Sequence, residues 1–531
     1  MIRILSRYLL IIATVSGLPL NSQATTEMSY KQGQQWLQQR LDQRQRQTEE
    51  KADNLILFVG DGMSVTTLTA ARIMEGQRQG NNGEENTLSF ESFPHTALVK
   101  TYNTNQQTAD SAGTMSAITT GVKTRAGVIA IGPEQDRAIC QGWEKYQHQT
   151  LLQWAAQHGY ATGVVTNARI THATPAATYA HSPERDWESD GDLTAEAKQF
   201  GCQDIASQLI HKAYPQGLDI ALGGGKANFQ PASWYTNLLL NKLEIPYYWL
   251  PDWLISGGQR QDTDLIEVWQ QQFPNGQYLE DTQQLHQLNI QESGPVLGLF
   301  ANYHMAYHQD APESQPSLEL MTDVAVRYLK NKVSREQLNG YILIVEGARI
   351  DHGHHLGNAY RALDETIELA KAVQGAKDLS DKNTLLLVTA DHSHTLSMAG
   401  YPQRGNPILG FTANNGLTLA KDNQPYTTLG YSNGEGGSTS VDHQHRHIGR
   451  IPWHDEQHKQ INPQDPDFYQ AGLAESYYET HGSDDVALHA LGPGAQLFHG
   501  LIEQNTIYHL IRRALAPNNT HAEQSLFVEQ K

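Results

Sequence analysis

Apolar positions in this chain gather into short unbroken runs instead of alternating with polar ones. Four such runs are Asn54-Leu55-Ile56-Leu57-Phe58-Val59-Gly60, Ala161-Thr162-Gly163-Val164-Val165-Thr166, Tyr341-Ile342-Leu343-Ile344-Val345 and Thr384-Leu385-Leu386-Leu387-Val388-Thr389-Ala390. Runs of this length read as strands buried on both faces, as in a parallel sheet covered by helices. Leu218-Asp219-Ile220-Ala221-Leu222, followed by Gly223-Gly224-Gly225, predicts another strand that meets a tight turn. Strand-like and helix-like segments alternate from Leu55 to about residue 225 and again from Leu318 through Ala390, which predicts a doubly wound α/β core with a mostly parallel sheet. Residues 226–315 are rich in Gln and Trp with weaker periodicity and read as an insertion. Residues 402–475 are rich in Gly, Asn, His, Pro and Tyr and read as a second inserted subdomain at the edge of the site. Tyr30 to Lys51, with Trp36, Leu37 and Leu41 as its apolar anchors, reads as a surface helix or an arm toward a partner subunit.

The runs end on ligand-type residues. In open parallel sheets the carboxyl ends of the strands form one edge, and ligands bind in the crevice there. The first run ends at Asp61, the third at Glu346 and the fourth at Asp391-His392, while the second is followed by His172 and Thr174. Oxygen and imidazole donors at four strand ends imply a multi-metal site. Asp351 and His355, in Asp351-His352-Gly353-His354-His355, are four apart and share one face of a helical turn. A carboxylate, an imidazole and a distant third ligand make a catalytic zinc set with one position open. Ser111, in Thr108-Ala109-Asp110-Ser111-Ala112-Gly113-Thr114, precedes a helix-compatible run from Met115 to Thr120. A helix N-terminus offers N–H groups to an anion, although the same pattern describes an ordinary cap. No general-base triad is evident beside it, and a metal can bind a hydroxyl and lower its pKa without one. His443, His445 and His447 alternate as on a strand face, but Arg446 and the loop-like surroundings read as a solvated stretch.

Charge narrows the partners. The formal net charge is -19, spread without long acidic runs, which argues against a nucleic-acid partner. Such a surface repels phosphates at long range, so phosphate binding would need a strong local positive field, which divalent cations can supply. Residues 1–24 read as a cleaved secretory signal: Arg3 and Arg7, the apolar stretch Tyr8 to Val15, and Ser22-Gln23-Ala24 at the cleavage site. No later segment has spanning length, so a periplasmic or secreted protein without a stable membrane anchor is expected. In an oxidising compartment the two cysteines, Cys140 and Cys202, are expected to form a disulfide.

Five motifs in order resemble the alkaline phosphatases. They are Phe58-Val59-Gly60-Asp61-Gly62-Met63; Asp110-Ser111-Ala112-Gly113-Thr114 with Thr120-Gly121-Val122-Lys123-Thr124; His172-Ala173-Thr174-Pro175 through His181; Val345-Glu346-Gly347 with the Asp351 to His355 run; and Thr389-Ala390-Asp391-His392-Ser393-His394. The resemblance covers essentially residues 53–510, within a catalytic domain assigned to 53–531 after a helical arm at 25–52. It implies phosphate monoester hydrolysis to alcohol and inorganic phosphate through a phosphoserine at Ser111, with two Zn2+ and one Mg2+. By that resemblance, Asp351, His355 and His481 hold the first zinc, and Asp61, Asp391, His392 and Ser111 the second. Asp61, Thr174 and Glu346 hold the magnesium, with His172 nearby through a water. Arg185 clamps two phosphate oxygens in a fork that lysine cannot reproduce, Asp110 orients it, and His352 reaches the phosphate through a water. Family analogy also implies a homodimer, and places 402–475 where the family carries its crown insertion, although little in that stretch matches.

His172 and His352 stand where some bacterial members have Asp and Lys, and resemble the animal enzymes. The Ser-Ala-Gly-Thr at the nucleophile is more like marine bacterial members. The alternatives are a phosphodiesterase or sulfatase-like hydrolase of the same superfamily, and a non-catalytic metal- or phosphate-binding exported protein. The Arg185 clamp argues against the first, and the retained serine and ligands against the second.

Overall fold

The computed structural model describes residues 30–35, 37–38, 51–233, 258–421, 423–437 and 462–515. The signal at 1–24, Trp36 and Leu41 of the arm, and His443, His445 and His447 lie outside the described residues.

In chain order the strands are β1 (Asn54–Gly60), β2 (His95–Lys100), β3 (Tyr160–Arg169), β4 (Leu218–Gly224), β5 (Gln277–Leu279), β6 (Val296–Leu299), β7 (Gly340–Gly347) and β8 (Thr384–Ala390). There follow β9 (Ser393–His394), β10 (Ser397–Met398), β11 (Leu429–Gly434), β12 (Gly472–Glu475), β13 (His481–Gly482), β14 (Val486–Leu491) and β15 (Gly500–Glu503). Ten of them form one sheet in the order β15-β2-β14-β8-β1-β7-β3-β4-β6-β5. Only β14 runs against the rest, antiparallel to β8 and β2. β1, β3, β4, β7 and β8 are buried along their whole length, which is why their sequences are unbroken apolar runs. β14 alternates buried and half-buried positions, the pattern of a strand with one wetter face.

Helices cover the sheet in two layers. Val65–Arg78, Leu318–Glu336 and Ala359–Leu379 pack together, the last two also against β7, while Ser111–Thr120, Leu151–Gln157 and Thr506–Leu515 build the other layer. This is the doubly wound architecture that the apolar pattern predicts. The stretch 226–315, expected as an insertion, contributes β5 and β6 to the far edge of the main sheet. Those strands are only three and four residues long, too short to leave a clear period in the sequence. In 402–475 the described residues place β11 and β12 with β10 in a separate three-stranded sheet. Residues 30–35 and 37–38 are helical, with Leu37 buried and the Tyr30 ring edge-on to His509 at 4.9 Å. Thus the described part of the arm packs on the helix Thr506–Leu515 of the same chain. No helix of the described residues is long and apolar enough to cross a membrane.

The helix Arg349–His355 sits directly on Ala359–Leu379. A Cβ on Gly353 would come within 2.7 Å of the Ala362 amide nitrogen, so glycine permits the close approach that seats the Asp351/His355 turn on its neighbour.

Cys140 and Cys202 are bridged, with 6.0 Å between their Cα atoms across a separation of 62 residues. They join a small satellite core with Val128, Ile131, Trp143, Trp187 and Ala197, two residues along the chain from Arg185. Replacing both cysteines by serine is expected to cost about 2–4 kcal/mol, from loop-closure entropy restored to the unfolded chain. Thermal unfolding of the oxidised protein and the double variant checks this.

Candidate functional site

Strand register brings the ligand-type residues together. Gly60 at the end of β1 pairs with Gly347 of β7 and Ala390 of β8. Asp61 and Asp391 therefore leave adjacent strands at one level, and Glu346 sits beside Thr166 of β3. Gly62 N–H donates to Asp391 Oδ1 at 3.1 Å, and Thr114 Oγ1 to Asp391 Oδ2 at 3.1 Å. Ser111 opens the helix Ser111–Thr120, and the cap is Asp110, whose side chain accepts from Gly113 N–H. The serine hydroxyl is thus not used as the cap. Its Oγ lies 3.1 Å from His392 Nε2 and 3.4 Å from Asp61 Oδ1.

A two-residue antiparallel ladder joins β13 to β9, with His481 opposite His394. It delivers His481 to Asp351 and His355. His355 Nδ1 faces the Glu479 carbonyl at 2.6 Å, and His481 Nδ1 faces the Ala109 carbonyl at 2.7 Å. A carbonyl only accepts, so each Nδ1 carries the hydrogen and each Nε2 presents a lone pair. Those two Nε2 atoms face one another at 3.0 Å, with Asp351 Oδ1 3.4 Å from one and 3.3 Å from the other. Two lone pairs and a carboxylate converging on one point suit a divalent cation. His392 repeats the arrangement: Nδ1 faces the Ser393 carbonyl, and Nε2 lies 3.3 Å from Asp61 Oδ1 and 3.4 Å from Asp391 Oδ2.

A third gap lies below Asp61. Asp61 Oδ2, Thr174 Oγ1 and Glu346 Oε1 are buried and have no hydrogen-bond partner, while Glu346 Oε2 accepts from Thr166 Oγ1 at 2.5 Å. Three orphaned oxygens suit a hard cation. His172 adjoins this group, and its Nε2 faces Arg185 Nη2 at 3.2 Å. Arginine only donates, so Nε2 accepts and Nδ1 carries the hydrogen. That nitrogen suits donation to a water better than direct coordination. Asp110 Oδ2 accepts from Arg185 Nη1 at 3.1 Å and from Gly127 N–H at 2.9 Å, which fixes the guanidinium. His352 Nδ1 faces Arg349 Nη1 at 2.9 Å.

Electrostatics reflects the same crowding of buried carboxylates. Burial, then Asp391, Asp351 and Glu346, push the Asp61 carboxyl far above its ordinary range. Burial pushes Glu346 up to about 8, with Asp391 and Asp351 adding to it. Burial would raise Asp351 too, but His355, then His394 and His481, hold it well below the usual carboxylate range. Burial also opposes ionisation of Asp110, yet Arg185 and the Gly113 and Gly127 amides keep it low.

All thirteen residues assigned to catalysis or metal binding from the sequence gather around this edge. Two residues given no role there belong to it as well. His394 Nε2 lies 2.6 Å from Asp351 Oδ1, and its Nδ1 lies 2.5 Å from Glu479 Oε2. Glu479 also accepts from Thr395 N–H and Oγ1. The pair holds Asp351 from behind, as outer partners of metal ligands do. Their only signal in sequence is position: His394 two after His392, and Glu479 two before His481.

A family profile described as Alkaline phosphatase matches residues 52–516. The chain belongs to the alkaline phosphatase family. It is 40% identical over 490 residues to the tissue-nonspecific isozyme of alkaline phosphatase from Gallus gallus, covering 91% of this chain and 88% of that protein. It is 38% identical over 487 residues to the alkaline phosphatase of Gadus morhua, covering 90% and 95% respectively. Among solved structures, the alkaline phosphatase of Thermus thermophilus superposes with a TM-score of 0.58 at 21% identity, covering 88% of this chain and 92% of that one. That of the Antarctic bacterium TAB5 gives 0.55 at 20% identity, covering 89% and 100%. The two structural likenesses support the shared fold. As a member of this family the chain is a metal-dependent phosphomonoester hydrolase.

The crowded carboxylates set a pH dependence for the metal-free protein. Glu346 titrates near 8 when folded and near its ordinary 4.5 when unfolded. Between pH 6.5 and 8.5 the folded form therefore keeps a proton that the unfolded form has lost, and stability falls as pH rises. His394, raised to about 10 by Glu479 and Asp351 against the effect of burial, acts in the same direction. A loss of roughly 2 kcal/mol from Glu346 alone is expected over that window. Denaturation of chelator-treated protein checks it; the Glu346→Gln variant should show a shallower slope, and metal-loaded protein little slope.

Proposed function

We propose that this enzyme is an exported alkaline phosphatase that cleaves phosphate monoesters to alcohol and inorganic phosphate through a phosphoserine at Ser111. The observation that supports this most is the Ser111 hydroxyl, spared from capping and flanked by donor sets for divalent cations. Asp351, His355 and His481 would hold one Zn2+, with Asp61, Asp391, His392 and Ser111 around a second. Asp61, Thr174 and Glu346 would hold Mg2+, and His172 would donate to a water there. Bound at these positions, the cations would supply the positive charge that lowers the serine pKa and offsets charge on attacking and departing oxygens.

The chain's own groups do the positioning. Ser111 Oγ, between Asp61 Oδ1 and His392 Nε2, would attack phosphorus. The Arg185 fork, fixed by Asp110, takes two non-bridging phosphate oxygens and leaves the third toward the helix N-terminus. His352 accepts from Arg349 at Nδ1, so Nε2 carries the hydrogen and can donate to a phosphate oxygen through water. None of these contacts reads the alcohol, so leaving groups of many kinds fit. Cleavage of residues 1–24, a periplasmic or extracellular location and a homodimer complete the reading.

Hydrolysis of p-nitrophenyl phosphate at alkaline pH by the Zn2+- and Mg2+-loaded mature chain tests it. Ser111→Ala is expected to lower kcat by roughly a thousandfold or more; equal activity would remove the serine from the mechanism. His172→Asp adds a negative charge beside the third gap, and is expected to tighten Mg2+ binding, read as the Mg2+ concentration giving half-reactivation. An unaltered Mg2+ requirement would defeat that assignment.

A further inference from the structure

Arg185 is fixed at its guanidinium by Asp110, and at its backbone by a loop that the proposed chemistry does not use. Its N–H donates to the Gly127 carbonyl at 2.9 Å, while Gly127 N–H donates to Asp110 Oδ2 at 2.9 Å. One peptide segment thus holds both the clamp and the carboxylate that orients it. Further along the same loop, Arg137 folds back over Gly127. Its Nε donates to Glu184 Oε2 at 2.7 Å and its Nη2 to Glu184 Oε1 at 2.6 Å. Nη2 also lies 3.4 Å from Asp186 Oδ2. The Arg137 guanidinium therefore grips the residues on either side of Arg185. Glu184 Oε1 accepts from Asp186 N–H as well, at 3.2 Å, which closes a small ring around the clamp residue.

Two backbone features accompany this contact. Gly127 is left-handed at φ 78°, and a Cβ there would collide with Arg137 Nε and Cζ. The guanidinium thus lies directly against the Gly127 peptide, which only glycine permits. Ala138, next after Arg137, is also left-handed, at φ 60°, a conformation that its Cβ disfavours. Its N–H donates to the Pro183 carbonyl at 2.9 Å, just before Glu184. Strain of this kind persists where surrounding contacts over-determine the backbone. Here they include a two-bond fork onto a carboxylate whose side chain is only 12% exposed, a geometry that lysine cannot supply. The Arg137 hydrogen bonds go to Glu184 and Asp186, not to Arg185 or Asp110. Arg137 therefore acts on the clamp through the backbone they share.

We propose that Arg137 and Glu184 are positioning residues for phosphate recognition, whose fork holds Gly127 against residues 184–186 and so aims the Arg185 guanidinium. The proposal rests on the reading of Arg185 as the phosphate clamp. Without the fork, Asp110 and the Arg185 side chain are still present, but the segments that carry them shift relative to one another. A small misplacement of the clamp weakens its hold on phosphate. Ser111 and the donor sets for the cations stand on other segments and keep their geometry.

The test measures inhibition by inorganic phosphate, with KM and kcat for p-nitrophenyl phosphate, in metal-loaded wild type, Arg137→Ala, Glu184→Gln and Arg185→Ala. The phosphate inhibition constant is expected to rise about fivefold or more in both Arg137→Ala and Glu184→Gln. KM rises in step, and kcat stays within about threefold of wild type. Adding Arg137→Ala to Arg185→Ala is expected to change the inhibition constant by less than about twofold, because the fork acts only through the clamp. A constant within about twofold of wild type in either single variant would overturn the proposal. So would an undiminished rise in the Arg185→Ala background, which marks an independent or merely structural effect. If Arg137→Ala does not fold, Glu184→Gln, alone and on Arg185→Ala, decides by the same criteria. Phosphate inhibition unchanged by Arg185→Ala alone would instead refute the clamp reading.

Discussion

Four buried carboxylates at the ends of adjacent strands form the constraint around which the rest of this structure is arranged. Asp61, Glu346, Asp351 and Asp391 lie at one sheet edge, each nearly or wholly sealed from water. Like charges at this density are unstable without positive charge between them. The molecule supplies some of it through His394 and Arg185. The remainder appears as gaps in the hydrogen bonding: paired imidazole lone pairs at Asp351, and three orphaned oxygens below Asp61. A site that needs cations to be stable also concentrates the positive field a phosphate requires, on a protein whose net charge of -19 would otherwise repel it.

The scaffold makes that crowding tolerable by rigidity. Parallel strands in register set Asp61 and Asp391 side by side, and the Thr166 and Thr114 hydroxyls hold Glu346 and Asp391. Glu479 is the farthest support. Its carbonyl fixes the tautomer of His355 and its carboxylate fixes His394, so one residue orients two groups that meet at Asp351. The Cys140–Cys202 bridge shares a small core with Trp187, two residues from Arg185.

Much was legible in the chain itself. Unbroken apolar runs are a local property, so β1, β3, β4, β7 and β8, and hence the parallel core, could be read from composition and order. The donors at their ends followed, because a strand's next residue necessarily lies at the sheet edge. Asp351 and His355 could be paired because helical spacing is also local. Other features depended on contacts between distant segments. β5 and β6 are too short to carry a period and join the sheet only because β4 offers them an edge. His481 reaches the site through a two-residue ladder with His394, which no spacing encodes. The roles of His394 and Glu479 rest on which of their atoms faces a donor or an acceptor. That is settled by side chains brought together from more than eighty residues away. Sequence therefore determined the sheet and the kind of chemistry at its edge, since both arise from neighbours along the chain. Tertiary structure decided protonation and support, since those arise only from neighbours in space.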